Sequence, residues 1–403
     1  MVTNRQTKKI KVLRIITRLN VGGPGKHAIW LTAGLDKELF ETRLITGRVE
    51  ENEQELNYLL TKESVVPLYI NSLKRSIHLV NDFKAFFALL KILFSYQPDI
   101  IHTHMSKAGL VGRLAGGIYK IFNPFKKINI FHTFHGNTFE GYFSQTKALF
   151  FLILEKLLSR LFSNKIIVIS HQQFDEICHT FKLDVEEKFR IIPLGFDYSL
   201  ISEEVNKKND FFRVGLVGRM APIKNYAAVI EVAKLVKNEK ITFHIYGSCS
   251  EDELQKFQNA IATNNLEKNI FLMGNVSDIN EIYHNIDMLL LTSINEGTPL
   301  SIIEAMFFAK PVVATKVGGV PDLLGMDWTP DDSPLGWSFK KTAVQKGFIC
   351  KVNDYADMAD KVTLLSKSQE ECKIVGSNGK EFAIQTFSKE RLIQDIEGLY
   401  KNT

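Results

Sequence analysis

Short apolar runs alternate with longer stretches of helical spacing along this chain, the pattern of an α/β protein with parallel sheets. In the first half the strands read as IKVLRII, TRLIT, VVPLYI, PDIIHTH, INIFHTFHG, KIIVIS and RIIPLG. A glycine-rich turn after the first strand leads into a helix from about Lys26. NDFKAFFALLKILFSYQ has its apolar residues at helical spacing, SKAGLVGRLAGGIYK is a helix whose small residues allow close packing, and a long helix follows Gln145. Positions 201–210, ISEEVNKKND, are polar and aperiodic and read as a linker. The rhythm then restarts with FRVGLVG, ITFHIYG, IFLMG, DMLLLTS and PVVATKV. Positions 324–347, rich in Pro, Gly, Asp and Trp, break it and read as an irregular loop before the short strand FICKV.

The 403 residues therefore divide into two Rossmann-like domains, expected at 1–205 and 206–385, with a helix over 386–403 packing back towards the first. Such sheets bind ligands beyond the carboxyl ends of their strands, here in a shared central cleft. Composition is ordinary and globular, 45% hydrophobic and 24% charged. Cys178, Cys249, Cys350 and Cys372 are widely spaced, without a CxxC or a Cys/His cluster, which argues against disulfides and structural zinc and fits a reducing, cytoplasmic compartment. The basic then apolar start resembles a signal peptide, but Arg14 interrupts its apolar part, no small-residue cleavage site follows, and it reads as a first strand. No run approaches the ~18 apolar residues of a spanning helix. The best candidate, 148–162, carries Glu155, Lys156 and Arg160.

Charge is uneven. Residues 1–209 hold 29 Lys and Arg against 20 Asp and Glu, a net +9, whereas 210–403 hold 21 against 25, a net −4. This asymmetry is either a basic face that meets something anionic or drift in surface composition. The basic residues are dispersed, without interleaved stacking platforms, which argues against nucleic acid.

Four stretches carry candidate chemistry. In LNVGGPGKHAIW, Gly22 and Gly23 follow a strand and open a helix, where glycines let backbone N–H groups approach a phosphate or a sugar; a tight strand-to-helix turn is the plain alternative. It is not GxGxxG, so a dinucleotide is not indicated. In GLVGRMAPIKN the strand ends at Gly218, and Arg219 and Lys224 offer a planar fork and a point charge to a diphosphate, unless they are a solvated basic loop. FHTFHGNTFEG ends a strand with His132 and His135, placed to bond a sugar hydroxyl or tune a nearby charge, with a structural role as the plain alternative for a lone histidine. IHTHMSKAG adds His102, His104 and Lys107; alternating histidines suggest a metal only with a third ligand, none is evident locally, and substrate contact or packing is the reading.

The fourth stretch is SINEGTPLSIIEA, 293–305. Glu296 lies just past the apolar strand DMLLLTS, Gly297-Thr298-Pro299 turns the chain, and Glu304 falls in the first or second turn of the next helix, with Pro299 suited to its first position. Free N–H groups around Gly297 to Leu300 suit an anion. A carboxylate on either side accepts two hydrogen bonds from a vicinal diol, as a sugar on one side and a ribose on the other would supply. A helix-capping charge accounts for Glu296 but leaves Glu304 unexplained.

These residues resemble the retaining glycosyltransferases of the GT-B fold, specifically glycosyltransferase family 4. The resemblance runs nearly end to end, through GGPGKH, SKAGLVGRLAG, FHTFHG, VISHQQ, IIPLGFD, VGRMAPIKN and EGTPLSIIEAMFFAKPVVATKVGGVPDLL. The last block is the most specific, because it holds the family's E-x7-E pattern as Glu296 and Glu304. YGSCS at 246–250 departs from the commoner glycine-rich form, and the 324–347 loop is longer than usual. The resemblance implies that Glu296 bonds the donor sugar, Glu304 the ribose diol, and Arg219 and Lys224 the diphosphate. It places backbone at Gly22, Gly23, Gly218 and Gly297–Leu300 against phosphates or sugar, His135 near the anomeric carbon, and Gly274, Asn275 and Val276 along the nucleobase. No Asp-x-Asp motif is present, so no metal and no other cofactor are expected. The implied reaction moves a sugar from a nucleotide-diphosphate donor to a hydroxyl acceptor, a saccharide or lipid-linked saccharide of cell-surface polysaccharide synthesis. FNPFKKINIF and the apolar 142–163 mix aromatic and basic residues as a peripheral surface on an anionic membrane does, or form a core helix and a basic loop. A nucleotide-sugar epimerase of the same fold and a non-catalytic partner subunit are the rival readings.

Overall fold

The structure is a computed structural model that describes residues 8–51, 53–76, 78–136, 145–180, 185–202 and 210–403. It divides into two compact units. One comprises Met1–Gly195, Pro330–Trp337 and Lys389–Thr403, the other Phe196–Thr329 and Ser338–Ser388. The first division thus falls upstream of the 205 expected from polarity. Phe196 already packs in the second unit, where its amide bonds the Phe387 carbonyl at 2.6 Å and its ring stacks on Phe307 at 4.4 Å. Of the expected linker, positions 203–209 lie outside the described residues.

The first unit runs β1 (Ile10–Arg18), α1 (Gly23–Gly34), β2 (Phe40–Gly47), α2 (Asn57–Lys62), β3 (Leu68–Tyr69), α3 (Leu79–Tyr96), β4 (Ile100–His104), α4 (Ser106–Ile121), β5 (Asn129–Thr133), α5 (Gln145–Leu161), β6 (Lys165–Val168), α6 (His171–Phe174) and β7 (Phe189–Ile191). Its seven-stranded parallel sheet has the order β3-β2-β1-β4-β5-β6-β7. β1 is covered on both faces, with Val12, Leu13, Ile15 and Ile16 fully buried, each worth roughly 1.5–3 kcal/mol. This is why its sequence is a continuous apolar run rather than an alternation. The glycines of α4 bring that helix onto the sheet: a Cβ at Gly112 would lie 2.7 Å from Thr103, and one at Gly116 3.0 Å from Ile101. Glu155, which interrupts the apolar stretch of α5, forms a buried fork with Arg113 of α4, both oxygens at 2.6 Å.

The second unit runs β8 (Phe212–Val217), α7 (Ala227–Leu235), β9 (Ile241–Tyr246), α8 (Glu251–Thr263), β10 (Ile270–Gly274), α9 (Ile279–Tyr283), β11 (Met288–Leu291), α10 (Leu300–Phe307), β12 (Val312–Thr315), α11 (Val320–Gly325), β13 (Met326–Pro330), β14 (Trp337–Lys341), β15 (Phe348–Cys350), α12 (Tyr355–Lys367) and α13 (Gln369–Phe387). Six parallel strands take the order β10-β9-β8-β11-β12-β15, and β13 pairs with β14 apart from them. The expected irregular loop is therefore largely a hairpin followed by a short connection. Its base is anchored by buried Trp328, whose indole donates to the Asp322 carbonyl at 2.9 Å, and by buried Lys346, which bonds Asp327 at 2.9 Å and lies over the Phe382 ring.

The last helix, α14 (Lys389–Lys401), is counted with the first unit. It buries Leu392, Ile396 and Tyr400 among Val12, Leu31, Phe40 and Phe131. No described helix is long and apolar enough to cross a membrane.

Candidate functional site

Strand order reverses between β8 and β11 in the second sheet, and loops at such a switch point part to leave a crevice. The sequence candidates of this unit gather there. Lys224, after β8, bonds Glu296, after β11, through Nζ and Oε1 at 2.6 Å. Ser293 donates to the same Glu296 oxygen at 2.5 Å, and Thr292 donates to the Lys224 carbonyl at 2.9 Å. Gly218, the residue after β8, has a backbone that a side chain rarely adopts, φ +148°, and a Cβ there would sit 3.6 Å from Lys224 Cε. Arg219 is exposed and makes no side-chain hydrogen bond among the described residues.

The Glu296 loop is held by backbone rather than by side chains. Gly318, with φ +47°, lies so close that a Cβ would fall 1.6 Å from the Glu296 carbonyl oxygen, and the Gly319 amide donates to the Gly297 carbonyl at 2.9 Å. Thr298 keeps a buried hydroxyl without a partner among the described residues. Pro299 is the residue that caps α10 rather than its first helical residue, because its ψ of 112° is extended; Leu300 begins the helix. Glu304, on α10, accepts from Tyr283 Oη at 3.0 Å. Burial and the Glu304 charge push the Tyr283 phenol well up, so it stays a donor. Gly274, with φ +73°, ends β10, and exposed Asn275 and half-buried Val276 follow; the Gly274 carbonyl accepts from the Gly247 amide at 2.8 Å.

The first sheet has its own reversal between β1 and β4, and histidines collect there. Gly22 and Gly23, both half-buried, open α1. One turn on, His27 is buried, with its ring 4.8 Å from that of His135 and 5.6 Å from that of His104. His104 Nδ1 and His135 Nε2 share a hydrogen bond at 3.0 Å. Both nitrogens of His27, Nε2 of His104 and Nδ1 of His135 are buried without partners among the described residues. His102 is fully engaged, with Tyr400 Oη at 2.5 Å and Thr133 Oγ1 at 2.7 Å. His132 bonds Thr103 at 2.9 Å, and its ring fills the space that a Cβ on Gly109 would need, so packing is its role. Lys107 pairs with Asp82 at 2.5 Å and is not free for a ligand. Burial lowers His27, His102, His104 and His132 well below an ordinary imidazole, and His135 to about 3, so all five rings are neutral at neutral pH. Positions 137–144, the rest of FHTFHGNTFEG, lie outside the described residues.

Two family models meet near residue 200. Glycosyltransferase Family 4 matches residues 21–200, and Glycosyl transferases group 1 matches 197–382. The chain belongs to glycosyltransferase family 4. It is 25% identical to the UDP-Gal:alpha-D-GlcNAc-diphosphoundecaprenol alpha-1,3-galactosyltransferase of Escherichia coli, covering 97% of each chain. It is also 25% identical to the capsular polysaccharide biosynthesis glycosyltransferase CapM of Staphylococcus aureus, over 82% of this chain and 84% of that one. Anabaena HepE, solved in complex with UDP, superimposes with a TM-score of 0.75 at 19% identity, over 98% of this chain and all of the other, a likeness of fold that is GT-B. These findings do not favour an epimerase.

In this family 4 glycosyltransferase, sequence reasoning missed Tyr283 and His27. Tyr283 lies 21 positions before the acid it bonds, with no local signal. His27 stood in view beside Gly22 and Gly23, one helical turn on, and the period of α1 would have placed it under the same strand ends. It supplies the third ligand not evident around His104: His27, His104 and His135 each offer a ring nitrogen, all within 4.8 Å. Zinc could use such a set. Against a cation there, the cluster has no carboxylate among the described residues, two of its nitrogens already bond each other, and the Arg14 charge is felt at His27 and His104.

Proposed function

We propose that this glycosyltransferase is retaining, takes its sugar from a nucleotide-diphosphate donor, and places it on a hydroxyl of a lipid-linked saccharide in cell-surface polysaccharide synthesis, on the cytoplasmic face of the membrane. The observation that carries the donor assignment is the Lys224–Glu296 contact across the β8/β11 reversal. A cation and a carboxylate side by side at a strand-end crevice suit the two ends of one bond, a leaving phosphate and a sugar. Arg219 and Lys224 neutralise the diphosphate, and the backbone at Gly218 and Gly297–Leu300 closes on it. Glu296 accepts from the sugar hydroxyls, Glu304 from the ribose diol, and Gly274, Asn275 and Val276 border the base. His135, neutral because burial holds it near 3, bonds a sugar hydroxyl near the anomeric carbon without adding charge.

The reaction on this reading is a front-face displacement. The bond from the anomeric carbon to the phosphate oxygen breaks, the bond to the acceptor oxygen forms on the same face, and the acceptor proton passes to the departing phosphate oxygen. Protein groups stabilise the leaving charge and fix the geometry.

The acceptor reading is supported by the two named relatives, one on a diphosphoundecaprenol and one in capsule synthesis. A thermal-shift screen across UDP-, GDP- and ADP-sugars tests the donor: one nucleotide raises the melting temperature by mass action. No shift with any of them, at concentrations that sustain activity in related enzymes, would overturn the reading.

A further inference from the structure

We propose that the outer face of α3, with the end of α4, seats the first unit on an anionic lipid bilayer. It deepens the lipid-linked acceptor reading and rests on it for its purpose, though not for its evidence. α3 turns Ala85, Leu89 and Leu93 into the core, yet its opposite face is also apolar. Val80, Phe83, Phe87 and Phe94 are exposed by 44–63%, at spacings of three, four and seven, so they form one stripe about 20 Å long. The stripe continues past the helix: the Phe94 ring lies 6.4 Å from that of Phe122, itself 71% exposed, and Phe125 is fully exposed. Soluble monomers rarely expose a contiguous apolar patch beyond a few hundred Å².

Charge selects the occupant. Lys84 and Lys91, seven apart, border the stripe, are exposed, and have no ion pair among the described residues. The stretch 79–127 holds two acids, Asp82 and Asp99. Both are occupied, Asp82 by Lys107 at 2.5 Å and Asp99 by Lys126 at 3.1 Å. The face presented to solvent is therefore aromatic and positive, the composition of a helix lying flat in a headgroup layer, with lysine stems reaching anionic phosphates. A second copy of this chain would bring like charges together. Of the two segments to which the sequence pointed, FNPFKKINIF supplies Phe122 and Phe125 to this face, whereas α5 carries exposed Ile153, Leu157 and Leu161 but spends Glu155 inward on Arg113.

The test is flotation of the full chain with vesicles of phosphatidylcholine alone, or with a third replaced by phosphatidylglycerol. Binding is expected to the anionic vesicles and to weaken with salt. Lys84→Glu/Lys91→Glu should weaken it by roughly 30-fold or more, at about tenfold per 1.4 kcal/mol and ~1 kcal/mol for each surface lysine. Phe83→Ser/Phe87→Ser should weaken it at least as much, with no loss in melting temperature, since both rings are exposed. Equal binding to both vesicle types, or wild-type binding by both double variants, overturns the proposal. So does a concentration-dependent dimer that the phenylalanine variant converts to monomer. A wild-type chain that glycosylates a lipid-free acceptor as fast as a lipid-linked one, while still floating with anionic vesicles, would remove the acceptor reading and leave the docking face standing.

Discussion

The two sheets reverse strand order in the same way, yet their reversals are furnished oppositely. At β8/β11 the groups are charged, paired and pressed against glycine backbone: Lys224 on Glu296, Gly318 against the Glu296 carbonyl. At β1/β4 they are neutral rings, several with buried nitrogens that bond nothing among the described residues. One topology thus supports two kinds of recognition. A crevice of opposed charges suits a ligand with an anionic end and a hydroxylated end. A nest of neutral imidazoles gives and accepts hydrogen bonds without attracting ions. What a switch point binds is set by the loops, not by the sheet.

The largest effect that would break this comparison is acid lability concentrated in the first unit, where, among the described residues, five buried imidazoles are lowered against His244 alone in the second. Below the ordinary imidazole value of 6.5, the unfolded chain binds protons that the buried rings of His27, His102, His104 and His132 refuse in the native state. Stability is therefore fully retained above that pH and declines as pH falls through it, by up to about 1.4 kcal/mol per pH unit for each ring. Peptide-resolved hydrogen exchange between pH 7 and 5 should show β1, β4 and β5 losing protection before β8 and β11. A melting temperature that is flat over this range would mean that the rings are not neutral in the native state.

Next in size is the split between the two glutamates. Glu296→Gln should lower kcat by about a hundred- to a thousandfold, because it touches the sugar as charge develops, and should leave affinity for the bare nucleoside diphosphate almost unchanged. Glu304→Gln should weaken both the nucleotide sugar and the bare diphosphate by roughly 1–3 kcal/mol. Calorimetry and single-turnover rates on both variants decide it. Equal loss of diphosphate affinity in the two would refute the assignment of one acid to sugar and the other to ribose. Tyr283→Phe sharpens the same point: freeing Glu304 from its phenol should cost about 1 kcal/mol of diphosphate affinity and little in kcat.

The smallest effect concerns metal. If fixed cations serve the diphosphate, chelator should leave the transfer rate unchanged. Loss of activity in EDTA that manganese or magnesium restores would show that the phosphate site has been misread, and zinc binding that Ala replacement of His27 or His135 abolishes would recast the histidine nest.

Most of the strands were legible because parallel strands buried on both faces are apolar throughout, as MLLL of β11 and VVAT of β12 are. The hairpin of β13 and β14 was not, since Asp, Pro and Gly in its turn masked two short strands. Within the site, Lys224, Glu296, His104 and His135 were visible as types at or just past strand ends. Their meeting was not: Lys224 and Glu296 stand 72 positions apart, and His102 and Tyr400 298 apart. Periodicity reports which face of an element is buried, whereas a contact depends on how two elements pack. The glycines that set the Glu296 loop were legible as glycines, but their reason, a carbonyl from another turn in the place of a Cβ, is a property of the fold.

The last helix has a consequence for how this chain is made and altered. Arg14, wholly buried in β1, bonds Thr32 at 3.0 Å and Tyr400 at 3.2 Å, and His102 bonds the same phenol. Tyr400 leaves the ribosome only after every strand of the second unit. Until then the first unit holds a buried guanidinium and an imidazole short of a partner, and a sheet face without Leu392 and Ile396. Its folding is therefore completed last, although its sequence begins first. The same dependence constrains any chimera that borrows one half from a relative: residues 389–403, like 330–337, are counted with 1–195, and without the last helix the borrowed half arrives with its core open.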